Sequence, residues 1–126
     1  MIDYESALIL DTETTGLSED DQIIEIAAVD WYGTPVIDYR IKPSVAIDPD
    51  AHAVHGISLE DLKDCPSWPE VESEIKALLF GQPVIIFNAD FDMRMIVQTS
   101  EAYDKNSSWG WDLDDVCAMS MAAKKY

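Results

Sequence analysis

An α/β domain is the fold class that this sequence predicts, and three observations predict it. Short apolar runs bounded by turn formers occur at residues 6–11, 23–30, 34–42 and 83–87. Residues 69–79 repeat apolar side chains at helical spacing, and a second helical stretch follows Asn88. The chain has 126 residues, 48% of them hydrophobic, which is enough to build the core of one small domain and too apolar for general disorder. One domain over residues 1–126 is expected, with no linker, internal repeat or low-complexity tract.

The elements follow in chain order. Ser6-Ala7-Leu8-Ile9-Leu10-Asp11 is an apolar strand that enters a loop rich in turn formers and acids. Residues 23–30 and 34–42 are two more strands, joined across Trp31-Tyr32-Gly33-Thr34, and the three strands form an antiparallel meander. From Pro43 to Asp64 the chain reads as irregular, except that Ser58 and Asp61 are spaced as a short helix start. From Pro69 a helix places Val71, Ile75, Leu78 and Leu79 on one face until Gly81 ends it. Residues 83–87 form a buried strand, and a helix runs from Asn88 through Gln98. Residues 99–112 read as a surface loop, and the tail from Asp112 to Tyr126 as a helix broken off without a cap.

Charge narrows the function. Eight Lys and Arg against 25 Asp and Glu give a net charge of −17, which repels a phosphate backbone and disfavours tight nonspecific DNA binding. Either the acids solvate the surface, or some of them gather where divalent cations reverse the local sign. Cys65 and Cys117 lack partners at metal-ligand spacing, so a zinc site is not expected and reduced thiols are. No apolar run approaches the roughly 20 residues that cross a bilayer, and the N-terminus is not a leader, so a soluble, cytoplasmic protein with no membrane contact is expected.

Asp11 and Glu13 form an Asp-x-Glu pair at the end of the first strand, where residues two apart project from the same face. A hard cation such as Mg²⁺ or Mn²⁺ is held by such carboxylates with water and substrate phosphate. Two acids on a solvated strand face are common, so the pair alone is weak. A second cluster, Asp90 and Asp92, follows the strand at 83–87, where the ends of α/β strands place functional groups. Asn88 or Asp90 capping the next helix is the plainer role, and it is compatible with the other.

Four motifs in order, Asp11-Thr12-Glu13-Thr14-Thr15-Gly16-Leu17, Ile23-Ile24-Glu25-Ile26-Ala27-Ala28-Val29, Ala53-Val54-His55-Gly56-Ile57 and Asn88-Ala89-Asp90-Phe91-Asp92, closely resemble those of the DEDD 3′-to-5′ exonucleases. The resemblance implies a ribonuclease H-like fold with a mixed sheet of about five strands flanked by helices. It implies a two-metal Mg²⁺ or Mn²⁺ site held by Asp11, Glu13 and Asp92, which would be the catalytic residues. Thr14, Thr15, Gly16 and Leu17 would meet the 3′-terminal nucleotide, with Val54, His55, Asn88 and Phe91 lining its sugar and base. Phe91 and Val54 offer apolar surface to a base, a sequence-tolerant contact. The implied reaction releases nucleoside monophosphates from the 3′ end of single-stranded DNA or RNA. His55 is expected to contact substrate rather than transfer a proton.

One departure is large. The family's third motif, a His or Tyr base four or five residues before a fourth Asp, has no counterpart after Asp92; no histidine follows His55, and Tyr103, Asp104 and Tyr126 lack the spacing. Members of the family also commonly have His where this chain has Phe87. The sequence leaves three accounts open: a C-terminally truncated fragment or split gene product missing its final helix, a partner chain that supplies the motif, or an inactive relative that binds or regulates.

Overall fold

The computed structural model describes residues 4–117. After a 3₁₀ turn at Tyr4–Ser6 come strands β1 (Leu8–Thr14), β2 (Ile23–Asp30) and β3 (Pro35–Arg40). Three helices follow, α1 (Pro49–His55), α2 (Leu59–Leu62) and α3 (Trp68–Leu79). The described chain closes with β4 (Val84–Ile86), α4 (Ala89–Glu101), a 3₁₀ turn at Trp109–Asp112 and β5 (Asp115–Cys117). The five strands make one mixed sheet in the order β3-β2-β1-β4-β5. β1 runs antiparallel to β2 and parallel to β4, and β4 is parallel to β5.

The expected meander is present because Ile23–Asp30 alternates against both neighbours, with Leu10 opposite Ala28 and Ala28 opposite Ile37. Its hairpin closes on Gly33, whose φ of 87° suits glycine, while the Asp30 carboxylate accepts from the Tyr32 and Thr34 amides. β1 continues three residues beyond Asp11 to Thr14, so both members of the Asp-x-Glu pair lie in the strand.

One sheet face carries the main core. Leu8, Leu10, Ile26, Ala28, Ile37, Val84 and Ile86 meet Trp68, Val71, Ile75 and Leu79 of α3 and Ala89, Met93 and Ile96 of α4. α3 starts at a capping box between Ser67 and Glu70 with Pro69 in its first turn, and Gly81 (φ 96°) turns the chain out beyond it. Burial of each large aliphatic side chain is worth about 1.5–3 kcal/mol, so Ile75→Ala, at a position with no exposure, would cost about 2–5 kcal/mol. A smaller cluster of Ile24, Ile57 and Leu62 anchors the 43–65 segment to β2.

Three expectations change. The 43–64 stretch contains α1, which buries no side chain and is set by its ends: Asp48 caps the Asp50 amide, Pro49 opens the helix, and Gly56 (φ 71°) closes it. The 99–112 stretch is less exposed than its polarity suggests. Thr99 and Ser100 are buried in the last turn of α4, donating to the Met95 and Ile96 carbonyls, and Trp109 stacks on the fully buried Trp68. The tail does not begin as a helix, because Asp115–Cys117 pairs with β4. The helix expected through Lys124, Lys125 and Tyr126 lies outside the described residues.

Candidate active site

β1 delivers the first acids. Leu8 and Leu10 turn into the core, so by strand alternation Ile9, Asp11 and Glu13 share the opposite face. The parallel strand β4 ends beside β1 and leads through Phe87, 71% exposed, and Asn88 into α4. Asp92 lies in the first turn of α4, where the helix N-terminus favours negative charge. It is nonetheless buried, and its carboxylate accepts a hydrogen bond from the Thr12 hydroxyl. Asp90, by contrast, is exposed.

These carboxylates disturb one another. Burial pushes Asp92 above the ordinary carboxylate range; the Thr12 bond pulls the other way, and the charges of Asp11 and Glu13 add to the rise. Glu13 is also raised, first by burial and then by Asp11 and Glu25, with His55 opposing. A site that makes its own acids hard to ionise is one where a cation would lower the repulsion. Carboxylate oxygens are the donor type that suits a hard divalent ion. Among the described residues no three His, Cys, Asp or Glu side chains stand close enough to hold a metal ion.

A cavity of about 730 Å³ opens next to Glu13. Glu13, Thr14, Gly16, Leu17, Val54, His55 and Phe91 all line it, so residues far apart in sequence meet there. Val54 and Leu17 are 84% and 78% exposed at the cavity. Thr15 does not line it: it is fully buried, and its hydroxyl donates to Asp21 at 2.6 Å. Asn88, Asp11 and Asp92 are not part of the lining, and Asn88 is the N-cap residue of α4. His55 Nδ1 accepts from the Ile57 amide at 3.0 Å, so Nε2 carries the proton and donates to the Thr14 carbonyl at 3.0 Å. Both nitrogens are thus bonded to backbone, the opposite of a base poised for water.

Sequence reasoning passed over several neighbours. Asp48, Pro49, Asp50 and Ala51 form the α1 wall, for which the Asp-Pro cap was the available signal. Thr12, Asp21 and Gln98 act through hydrogen bonds that only the fold creates. No helix among the described residues is long and apolar enough to cross a membrane.

A sequence profile of the RNase T exonuclease family matches residues 8–126. The chain is 35% identical over 120 residues to an uncharacterized exonuclease of Escherichia phage 186, covering 93% of this chain and 62% of that protein. It is 38% identical over 96 residues to the epsilon subunit of DNA polymerase III from Escherichia coli K12, covering 68% of this chain and 40% of the subunit. It therefore spans only about half the length of these relatives. Among solved structures, exonuclease X in complex with 5′-overhanging duplex DNA superposes with a TM-score of 0.58 at 33% identity, covering 71% of this chain and 53% of that one. E. coli exonuclease I with a dA16 oligonucleotide superposes with a TM-score of 0.78 at 17% identity, covering 95% of this chain and 29% of that one, a likeness of fold alone. The chain belongs to the RNase T exonuclease family and has the ribonuclease H-like fold of the DEDD exonucleases.

Proposed function

We propose that this chain is a single domain that holds the 3′ end of single-stranded DNA for metal-dependent 3′-to-5′ exonuclease cleavage, releasing nucleoside monophosphates. The observation that carries the reading is the cavity, where an acidic strand end, a turn and two apolar side chains meet. Thr14, Gly16, Leu17, Val54, His55 and Phe91 would enclose the terminal nucleotide, with Thr15 and Asn88 supporting it from behind. Phe91 gives a base a face to stack on, and Val54 a surface to lie against. Glu13 at the cavity wall, with Asp11 and Asp92 beside it, would hold Mg²⁺ or Mn²⁺. Two such ions supply a lowered pKa for water and charge neutralisation at the phosphate.

The chain's own residues bind and orient. The His55 bond to the Thr14 carbonyl fixes the turn that the nucleotide would meet, and the Thr12 bond fixes the Asp92 carboxylate. Water activation is assigned to none of its residues, since no histidine follows His55. A nucleic-acid substrate implies a cytoplasmic setting and a partner that is DNA or, less directly, RNA. The net charge of −17 supports a second reading, a module that keeps this shape and engages a basic partner or 3′ ends without cutting.

The test is degradation of a 5′-labelled single-stranded DNA oligonucleotide with Mn²⁺ or Mg²⁺, beside Asp11→Ala and an RNA of the same sequence. A ladder shortening from the 3′ end, absent in the variant, is the expected result. Cutting by Asp11→Ala at the wild-type rate would show that the acids are misassigned. A folded chain that binds the oligonucleotide and never shortens it would establish the second reading.

A further inference from the structure

Asp21 belongs to no motif discussed so far, yet it has more specific bonds than any other acid near the cavity. Its carboxylate accepts from the Thr15 hydroxyl at 2.6 Å, and from the amide and hydroxyl of Ser18, each at 2.8 Å. It presses against Gly16 so closely that an added Cβ would meet Oδ2 at 2.5 Å. Partial burial works against its charge, but these donors outweigh burial and hold the group below its ordinary range. The turn is rooted at its Thr15 end as well: the Thr15 amide donates to the Gln22 carbonyl at 2.8 Å, and the Asp48 amide to the Thr15 carbonyl at 2.7 Å.

Gln98 completes the arrangement. Its Nε2 donates to the Ser18 carbonyl at 2.9 Å and to the Asp21 carbonyl at 2.6 Å. Gln98 is on α4, the helix that also carries Phe91 and Asp92. The turn supplies one wall of the cavity through Gly16, Leu17 and Ser18, and α4 supplies Phe91 to another.

We propose that Asp21 and Gln98 are positioning residues for the 3′-terminal nucleotide: Asp21 fixes the Thr15–Ser18 turn, and Gln98 ties that turn to α4, so that the two cavity walls keep a single separation. The proposal rests on the cavity being the nucleotide site. Neither residue is assigned a metal or a proton. Their effect is on substrate binding, because the gap between Leu17 and Phe91 sets how a nucleotide is gripped.

The experiment compares Asp21→Asn and Gln98→Ala with the wild-type chain in turnover of the 5′-labelled oligonucleotide and in anisotropy binding of fluorescein-labelled dT10, with Tm recorded for each. Asp21→Asn is expected to raise KM, or Kd if the chain binds without cutting, about tenfold, the worth of one charge-assisted bond, with kcat within about threefold. Gln98→Ala, which leaves the carboxylate and its donors in place, is expected to raise the same quantity about threefold. Wild-type KM and Kd in both variants would overturn the proposal while leaving the cavity reading intact, as would a fall in kcat at unchanged KM. Failure of the wild-type chain to bind dT10 at all would remove the cavity reading and this proposal together.

Discussion

Asp21 lines the cavity and Asp92 stands outside its lining, and the fold treats these two aspartates in opposite ways. Asp21 is partly exposed and surrounded by donors from Thr15 and Ser18, so its charge is favoured. Asp92 is buried, has the Thr12 hydroxyl, and faces the like charges of Asp11 and Glu13, so its charge is disfavoured. The difference separates a carboxylate that builds structure from one whose needs are left unmet. Only the second kind gains from an added cation.

Breaking the unmet side should have the largest effect. Asp92→Asn keeps an oxygen for the Thr12 hydroxyl and removes the charge, and is expected to lower the exonuclease rate at least about 100-fold, several kcal/mol of transition-state stabilisation. Single-turnover degradation with a circular dichroism check of folding measures it, and retention of more than a tenth of the rate would exclude Asp92 from the metal-holding set. The satisfied side is next. Gly16→Ala drives a methyl group into the Asp21 carboxylate and is expected to weaken dT10 binding about tenfold. Because the two changes strike one contact, adding Asp21→Asn to Gly16→Ala should cost little more; full additivity would show that the turn is held elsewhere.

The smallest effects are in stability, and their signs are opposite. The folded-state pKa of Asp92 lies above its ordinary value of 3.8, so its contribution is present below that pH and lost as pH rises through the folded value. With chelator present, Asp92→Asn should therefore raise stability at pH 7 by about 1 kcal/mol or less, read as a higher Tm, and the gain should shrink toward pH 3.8. Asp21 is lowered from 3.8, so its contribution is present above that pH and lost as pH falls through the folded value. Asp21→Asn should lower stability at pH 7 by about 1 kcal/mol, roughly 3–5 °C in Tm, with the gap closing on acidification. Tm against pH for the three chains checks both, and shifts of the same sign would dissolve the comparison.

What could be read in advance divides along similar lines. β2 matches residues 23–30 because Ile-Ile-Glu-Ile-Ala-Ala-Val-Asp has one buried face and strong strand formers. α3 was legible from its buried face of Val71, Ile75 and Leu79. α1 was not, because it buries no side chain and leaves no periodicity to find. The end of α4 was obscured by Thr99 and Ser100, whose hydroxyls suggest a loop; in the fold they bond back into the helix, and Ser100 also receives the Trp68 indole N–H at 3.0 Å. β5 is three residues long and opens on the second of two aspartates, Asp114 and Asp115, too short for alternation to show. That Asp11 and Glu13 share a face is legible from strand alternation, whereas the burial of Asp92 and the exposure of Asp90, two residues apart on one helix, have no local signal. The Asp21 and Gln98 bonds join positions up to 80 apart, a distance no local pattern encodes.

The outer margin of the sheet, strand β3, has consequences for how molecules meet one another. It begins with Pro35, which has no amide to donate, and its pairing with β2 slips between Ala28 and Val29. Exposed Asp38 and Arg40 follow, the latter tied to Glu25 at 3.1 Å. A margin interrupted by a missing donor, an irregular register and fixed charges is a poor template for another chain's strand. Crowded molecules are therefore kept from joining sheets along this side, and the turnover assays can be run at high protein concentration without self-association through β3.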